Sequence, residues 1–126
     1  MAFTDYLENK LLAHTFSNTA YTSPSTVYVA LYTVAPTDST TGTEVTGGGY
    51  VRQSASLTTT ASDTTNASAI EWPTATADYG TVVAVAVLDA SSSGNMLAFA
   101  ALDTNKTIST GDVFRIPTGD LDIALN

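Results

Sequence analysis

The chain has 126 residues, of which 44% are hydrophobic and none is cysteine, and its formal net charge is −8. Its length and apolar content predict one domain with its own core, and the lack of cysteine excludes disulfides and suits folding in a reducing cytoplasm. The four Lys and Arg residues are scattered, which argues against a nucleic-acid partner, and no apolar run approaches the roughly 18 residues of a membrane span.

Residues 1–16 are the only segment with a helical pattern. Thr4 or Asp5 is the expected N-cap, and Glu8 follows Asp5 by three residues, as in a capping box. A helix of about a dozen residues is marginal in water on its own, so this one is expected to dock on another surface. At about 100° per residue its apolar side chains form two opposite sides, Phe3, Tyr6, Leu7 and Leu11 on one and Leu12 and Phe16 on the other. We predict that one side packs on the chain's own body and the other on a neighbour. Phe3, Tyr6, Leu7 and Leu11 are expected to dock in a subunit or capsid interface, for which Leu12 and Phe16 are also candidates.

The rest of the chain, residues 17–126, has the pattern of short strands joined by turns. In residues 26–33 successive side chains point to opposite faces, and both faces are apolar. This pattern predicts a central strand that is covered on both sides. Residues 81–88 and 96–102 are predicted to pair antiparallel, and residues 58–66, a Thr/Ser run without large apolar side chains, are predicted to be an exposed loop. With no helical crossovers, the pattern favours an all-β antiparallel sandwich of seven or eight strands plus one N-terminal α-helix. A jelly-roll strand order is left open.

The residues typical of catalytic and metal sites are few and poorly placed. His14 is the only histidine, and no Gly-x-Ser-x-Gly elbow accompanies it, so we interpret its ring as bonded to backbone rather than catalytic. The turn that begins at Asp89 resembles half of a calcium loop, but its bidentate acid position is Ala100. Asp120 and Asp122 share a strand face and are interpreted as a solvated edge, with cation binding as the alternative. We therefore predict no catalytic residue, metal or cofactor.

Aromatic residues raise one alternative to a purely structural role. Rings that stack on sugars suggest a glycan-binding face, whereas sheet packing with a hydroxyl in water is the commoner role of strand tyrosines. The residues concerned are Tyr21, Tyr28, Tyr32, Tyr50 and Tyr79.

Several segments, in order along nearly the full chain, carry a resemblance to a known family. They are TDYLENKLL (residues 4–12), TVYVALYTVAPTD (26–38), GGGYVR (47–52), WPTATADYGTV (72–82) and the Gly111-Asp112 turn. Together they resemble small structural proteins of tailed-phage virions, which are labelled either head decoration (cement) protein or tail fibre protein. The resemblance implies a virion structural role and brings no catalytic motif with it.

The absence of long repeats or heptads favours the head over a fibre shaft, because a shaft needs length. The sequence thus predicts a noncatalytic cement protein at the capsid surface that binds the major capsid protein as a homotrimer. A tail-associated fibre, or a receptor- or glycan-binding module, is the alternative.

Overall fold

The computed structural model describes residues 1–125, which form one helix and eleven strands. The helix α1 spans Asp5–Phe16. The strands are β1 Ala2–Phe3, β2 Val27–Val34, β3 Thr43–Glu44, β4 Gln53–Ala55, β5 Leu57–Thr60, β6 Asp63–Asn66, β7 Ile70–Glu71, β8 Gly80–Leu88, β9 Met96–Ile108, β10 Arg115–Ile116 and β11 Asp122–Ala124. The strand number exceeds the predicted seven or eight because several strands are only two residues long.

The N-terminal segment begins as a strand and becomes a helix at Thr4. Phe3 lies in β1 and pairs with Ala98. The prediction of a helical segment over residues 1–16 is therefore wrong at its start, because the helix begins only at Asp5. Thr4 is the N-cap, with extended backbone angles (φ −76°, ψ 159°), and its side chain accepts a hydrogen bond from the backbone N–H of Leu7. The alternative cap at Asp5 is wrong, because Asp5 already belongs to the first helical turn.

The largest sheet has the strand order β1-β9-β8-β2-β3, and β4 also pairs with β2. All of its pairings are antiparallel. The predicted central strand and the predicted β8–β9 pair are both confirmed, with Ala30 opposite Ala86 and Ala86 opposite Phe99. Val29 and Leu31 point into one buried cluster and Ala30 and Tyr32 into another, so β2 has two covered faces as its alternating pattern indicates.

Two smaller antiparallel sheets complete the sandwich on the Val29 side of the large sheet. They are β10-β7 and β11-β6-β5. Trp72, Ile116 and Leu121 from this layer join Val85 of the large sheet in the main apolar core. The two-layer arrangement is the all-β sandwich with one N-terminal helix that the sequence predicts.

Residues 58–66 form a β-hairpin rather than the predicted loop, although residues 58–63 are exposed as predicted. Thr58 pairs with Thr65, and the hydroxyl oxygens of Thr59 and Thr64 lie 2.8 Å apart across the strands. Threonine favours strands, and pairing of β6 with β11 supplies the cover that the segment's own side chains lack. The lack of large apolar residues suggested a loop, but the pairing of β6 with β11 could not be seen in the local sequence.

The hairpin ends in Asn66, a polar side chain with only 1% of its surface exposed. Its Nδ2 donates to the backbone oxygens of Ser68 and Pro117, both at 2.9 Å, and its Oδ1 accepts from the N–H of Leu121 at 3.0 Å. One buried amide therefore joins the β6 end to the segment between β10 and β11.

The opposite face of the large sheet is lined by small residues. Ala30, Ala84 and Ala86 are fully buried there beside Tyr32 and Leu88. Because alanine side chains are short, another segment can approach this face closely. The loop between β2 and β3 lies next to it, with Pro36 buried and Thr41 and Gly42 lining a cavity of about 230 Å³ together with Leu88 and Met96.

Candidate functional site

The helix α1 is attached to the edge of the large sheet through Thr4. Its backbone N–H donates to the oxygen of Leu97 at 3.0 Å, and its hydroxyl donates to the oxygen of Met96 at 2.6 Å. The N–H of Asp5 donates to the oxygen of Asp38 at 3.1 Å, which connects the helix start to the β2–β3 loop. These bonds fasten the first turn of the helix to the sheet and to the β2–β3 loop.

The two predicted apolar sides of the helix segment meet different surroundings. Tyr6 and Leu7 pack against the main core, and Phe3 and Leu11 are half-buried. Leu12 and Phe16 are 59% and 79% exposed, although both are large apolar side chains. The side that contains Tyr6 thus includes the contact with the chain's own body. Contact of the six residues with another subunit or the capsid stays a prediction.

His14 lies near the C-terminal end of α1 and holds the following connector. Its Nδ1 accepts a hydrogen bond from the backbone N–H of Tyr21 at 3.1 Å, and the ring is otherwise exposed. A ring bonded to backbone agrees with the structural interpretation of this residue. Accepting through Nδ1 requires the neutral ring with its proton on Nε2.

The best-organised polar cluster lies at the β3 end of the large sheet and centres on Glu44. Arg52 donates to both carboxylate oxygens, from Nε to Oε2 and from Nη2 to Oε1, each at 2.9 Å. Tyr50 donates its hydroxyl to Oε2 at 2.7 Å and accepts from the N–H of Leu31 at 2.9 Å. Arg52 Nη1 also donates to the backbone oxygens of Ala90 and Ser93. The cluster joins β3, β2 and the β8–β9 turn.

Burial and charge change the acidity of the groups in this cluster. Burial, and to a smaller extent the neighbouring Glu44 carboxylate, raise the pKa of Tyr32 to about 12. The pKa of Tyr50 is also raised, first by burial and then by its bond to Glu44. The bond to Glu44 raises the pKa of Arg52. The shifts of Tyr50 and Arg52 keep both groups protonated, as their hydrogen bonds to Glu44 require.

The glycine run next to this cluster permits a close approach of two loops. Gly48 has φ +64°, and a Cβ placed there would lie 2.6 Å from the backbone oxygen of Ala77. Its own backbone oxygen accepts from the N–H of Thr76 at 3.0 Å. The rings of Tyr50 and Tyr79 meet edge to face, with centroids 5.7 Å apart. The GGGYVR and WPTATADYGTV segments therefore form one structural junction.

The acidic turns bind their own backbone. Asp89 accepts from the backbone N–H and the side-chain amide of Asn95, which accounts for its resemblance to half of a calcium loop. Within residues 1–125, no three His, Cys, Asp or Glu side chains are grouped so that they could hold a metal ion. In the same part of the chain, no helix is long and apolar enough to cross a membrane.

The tyrosines do not form one exposed aromatic face. Tyr32 and Tyr79 are buried, and the hydroxyl of Tyr50 is used inside the Glu44 cluster. Tyr32, Tyr50 and Tyr79 therefore do not contribute to an exposed sugar-binding face. Sequence patterns do not predict the partner of Arg52 or the roles of Glu44 and Asn66, because the contacts of these residues depend on how distant strands are placed.

The fold and these contacts define a small β-sandwich protein with exposed apolar side chains at the end of its helix. The segments that carry the family resemblance, such as GGGYVR and WPTATADYGTV, make contacts within the fold. The sequence model of one family matches residues 2–124, and that family is described as podophage GP4 fiber I protein gp80. The chain belongs to this family and is a structural component of a phage virion. No curated protein matches the chain.

Proposed function

We propose that this protein is a noncatalytic fibre subunit on the outside of a phage particle. The observation that carries the proposal is the match of residues 2–124 to a family of podophage fibre proteins. The internal use of Arg52, Glu44 and Tyr50 supports a role without catalysis, because these groups have partners within the fold and are not directed at a substrate.

A 13.0 kDa sandwich is too compact to be a fibre by itself, so a fibre of this protein requires contacts between copies or with another virion protein. The end of α1 is suited to such a contact. Burying a large apolar side chain such as Leu12 or Phe16 contributes about 1.5–3 kcal/mol before ordering costs. Both are more than half exposed in the single chain, so their burial in an assembly supplies a driving force for association.

The compact shape also favours a second candidate, the capsid cement protein. In that role the chain binds the major capsid protein as a homotrimer and covers junctions between capsid subunits, and the same helix end supplies the contact. Closed symmetry then lets several modest interfaces act together. Both candidates place the protein in the virion and differ in its position and copy number.

Copy number and position in purified particles distinguish the two roles. Quantitative gel analysis of purified virions, calibrated on the major capsid protein, gives copies per particle, and antibody labelling in electron micrographs gives position. A small number of copies at one vertex supports the fibre subunit. Hundreds of copies spread over the shell would show a cement protein instead.

The helix end is tested with the double variant Leu12→Ser, Phe16→Ser. The matched control is Val51→Ser, because Val51 is also an exposed apolar residue, at 56%, outside the helix. Deleting residues 1–16 is less informative, since it also removes the β1 pairing and the Thr4 bonds. We expect the double variant to fold but to lose self-association in light scattering and incorporation into particles. Assembly equal to that of the control would refute a role for this surface.

A further inference from the structure

An open groove of about 450 Å³ lies between the second half of β9 and the chain from β10 to β11. Its floor is formed by core side chains, among them Val85, Phe114 and Ile116. The volume lies within the roughly 300–1,000 Å³ range of small-ligand sites, which combine an apolar lining with a few polar groups.

The rim of the groove carries five exposed charged residues, namely Asp103, Lys106, Arg115, Asp120 and Asp122. Within residues 1–125 none of these five side chains makes a hydrogen bond or an ion pair. The other two cations have partners, since Arg52 is bonded to Glu44 and the Lys10 ammonium lies 5.6 Å from the centre of the Tyr6 ring. The groove therefore gathers the two of the four Lys and Arg side chains that have neither a charged nor an aromatic partner among residues 1–125.

The mixed charges of the rim restrict the chemistry of a ligand. Three carboxylates and a net charge of −8 repel polyanions, whereas Lys106 and Arg115 reduce the negative charge of the rim and so weaken its attraction for polycations. Hydroxyl groups suit both kinds of rim residue, because they donate to carboxylates and accept from ammonium and guanidinium groups. The apolar floor matches the C–H face of a sugar ring. A neutral saccharide has no net charge, carries many hydroxyl groups and has an apolar ring face, so it matches both the rim and the floor of the groove.

An extended peptide fits the groove less well. Strand addition requires a regular edge, but the pairing of β9 with β8 is irregular where Ala84 pairs with Ala101 and Val82 pairs with Lys106. The residues of β9 between these pairs bulge out of register, and bulges interrupt the straight row of backbone groups on which a new strand pairs.

We propose that this groove binds a neutral saccharide segment, as found in bacterial surface polysaccharides. The proposal deepens the fibre role and rests on it for its biological meaning, because a protein on the outside of the particle meets the host surface first. Asp120 and Arg115 are the central residues: the Asp120 carboxylate accepts hydrogen bonds from sugar hydroxyl groups, and the Arg115 guanidinium donates to them.

The test uses the full chain labelled with ¹⁵N and a panel of neutral trisaccharides of glucose, galactose, mannose, rhamnose and N-acetylglucosamine. Each is titrated to millimolar concentration while amide shifts are followed by NMR. We expect at least one trisaccharide to shift the amides of Leu102, Arg115 and Asp122 in a saturable manner. If no trisaccharide shifts these amides, or if shifts arise only elsewhere, the assignment is wrong.

Variants separate the groove from general surface effects. Arg115→Ala and Asp120→Ala are expected to lower the affinity about tenfold or more, because each removes a hydrogen bond to a charged group. Asp63→Ala is the matched control, an exposed carboxylate on β6 outside the groove, and should bind like the wild type. Equal binding by all three variants, or displacement of the saccharide by a neutral extended peptide that binds more tightly, would overturn the proposal.

The groove and the fibre role fail in distinguishable ways. If the groove is wrong, particles still carry the protein at its fibre position, and only the titration is negative. If the fibre role is wrong, antibody labelling finds no copies at such a position, whereas saccharide binding by the isolated chain is unaffected.

Discussion

Arg52 and Glu44 form a two-bond ion pair, with both nitrogen–oxygen distances at 2.9 Å, beside the turn that joins β8 to β9. The side chain of Arg52 is only 9% exposed, and its remaining bonds reach the backbone oxygens of Ala90 and Ser93. One guanidinium thus connects three parts of the fold, and its planar fork is the feature that makes this possible.

Replacing this arginine is expected to destabilise the protein. Arg52→Lys keeps the charge but cannot bind both carboxylate oxygens and both backbone oxygens, so we expect a loss of about 2–3 kcal/mol in the free energy of unfolding. Urea denaturation followed by tryptophan fluorescence measures it. Arg115→Lys is the control, and it should change stability by less than about 0.5 kcal/mol because Arg115 is exposed. Equal effects of the two changes would contradict the structural role of the pair.

Stability is expected to fall in alkaline solution. The pKa of Tyr32 is raised to about 12, and burial also raises that of Tyr50. Between pH 10 and 12 the unfolded chain therefore loses these protons while the folded chain keeps them. Their stabilising contribution is complete below about pH 10 and falls by up to about 1.4 kcal/mol per pH unit for each tyrosine.

Denaturation at a series of pH values from 8 to 12 measures this slope. The double variant Tyr32→Phe, Tyr50→Phe should show a flatter profile in that range. A wild-type profile without any decline above pH 10 would show that these phenols are not held protonated by the fold.

Two adjacent glycines are expected to differ in their tolerance of alanine. Both have positive φ, so each Ala costs about 1–2 kcal/mol from the left-handed backbone alone. At Gly47 a Cβ meets nothing within 4 Å, whereas at Gly48 it would lie 2.6 Å from the oxygen of Ala77. We expect Gly48→Ala to be about 1–3 kcal/mol less stable than Gly47→Ala in thermal or urea unfolding. Similar values would mean that the two loops separate easily.

The buried amide of Asn66 gives a fourth prediction. Asn66→Ala removes all three of its side-chain bonds and leaves the N–H of Leu121 without its partner, so we expect a loss of about 2–4 kcal/mol. Hydrogen exchange should show that β11 and the turn before it open first. Asn105→Ala, at an exposed position in β9, is the control and should leave both properties unchanged.

The sequence predicted well wherever a local pattern corresponds directly to a structure. The alternation along β2, the hairpin of β8 and β9, and the helix of the N-terminal segment follow from side-chain periodicity and turn residues, and all three are confirmed. The family resemblance also rests on local segments, and the match of residues 2–124 confirms it. These features depend on neighbours in the chain, which the sequence displays.

The tertiary structure decided the features that depend on distant partners. The Thr-rich run of residues 58–66 became a hairpin because β11 pairs with it, and Thr4 rather than Asp5 capped the helix because Thr4 also bonds to β9. The partner of Arg52 and the groove beside Arg115 likewise exist only once the strands are placed. Periodicity determines which face a side chain occupies, whereas the long-range packing of strands determines what lies opposite that face.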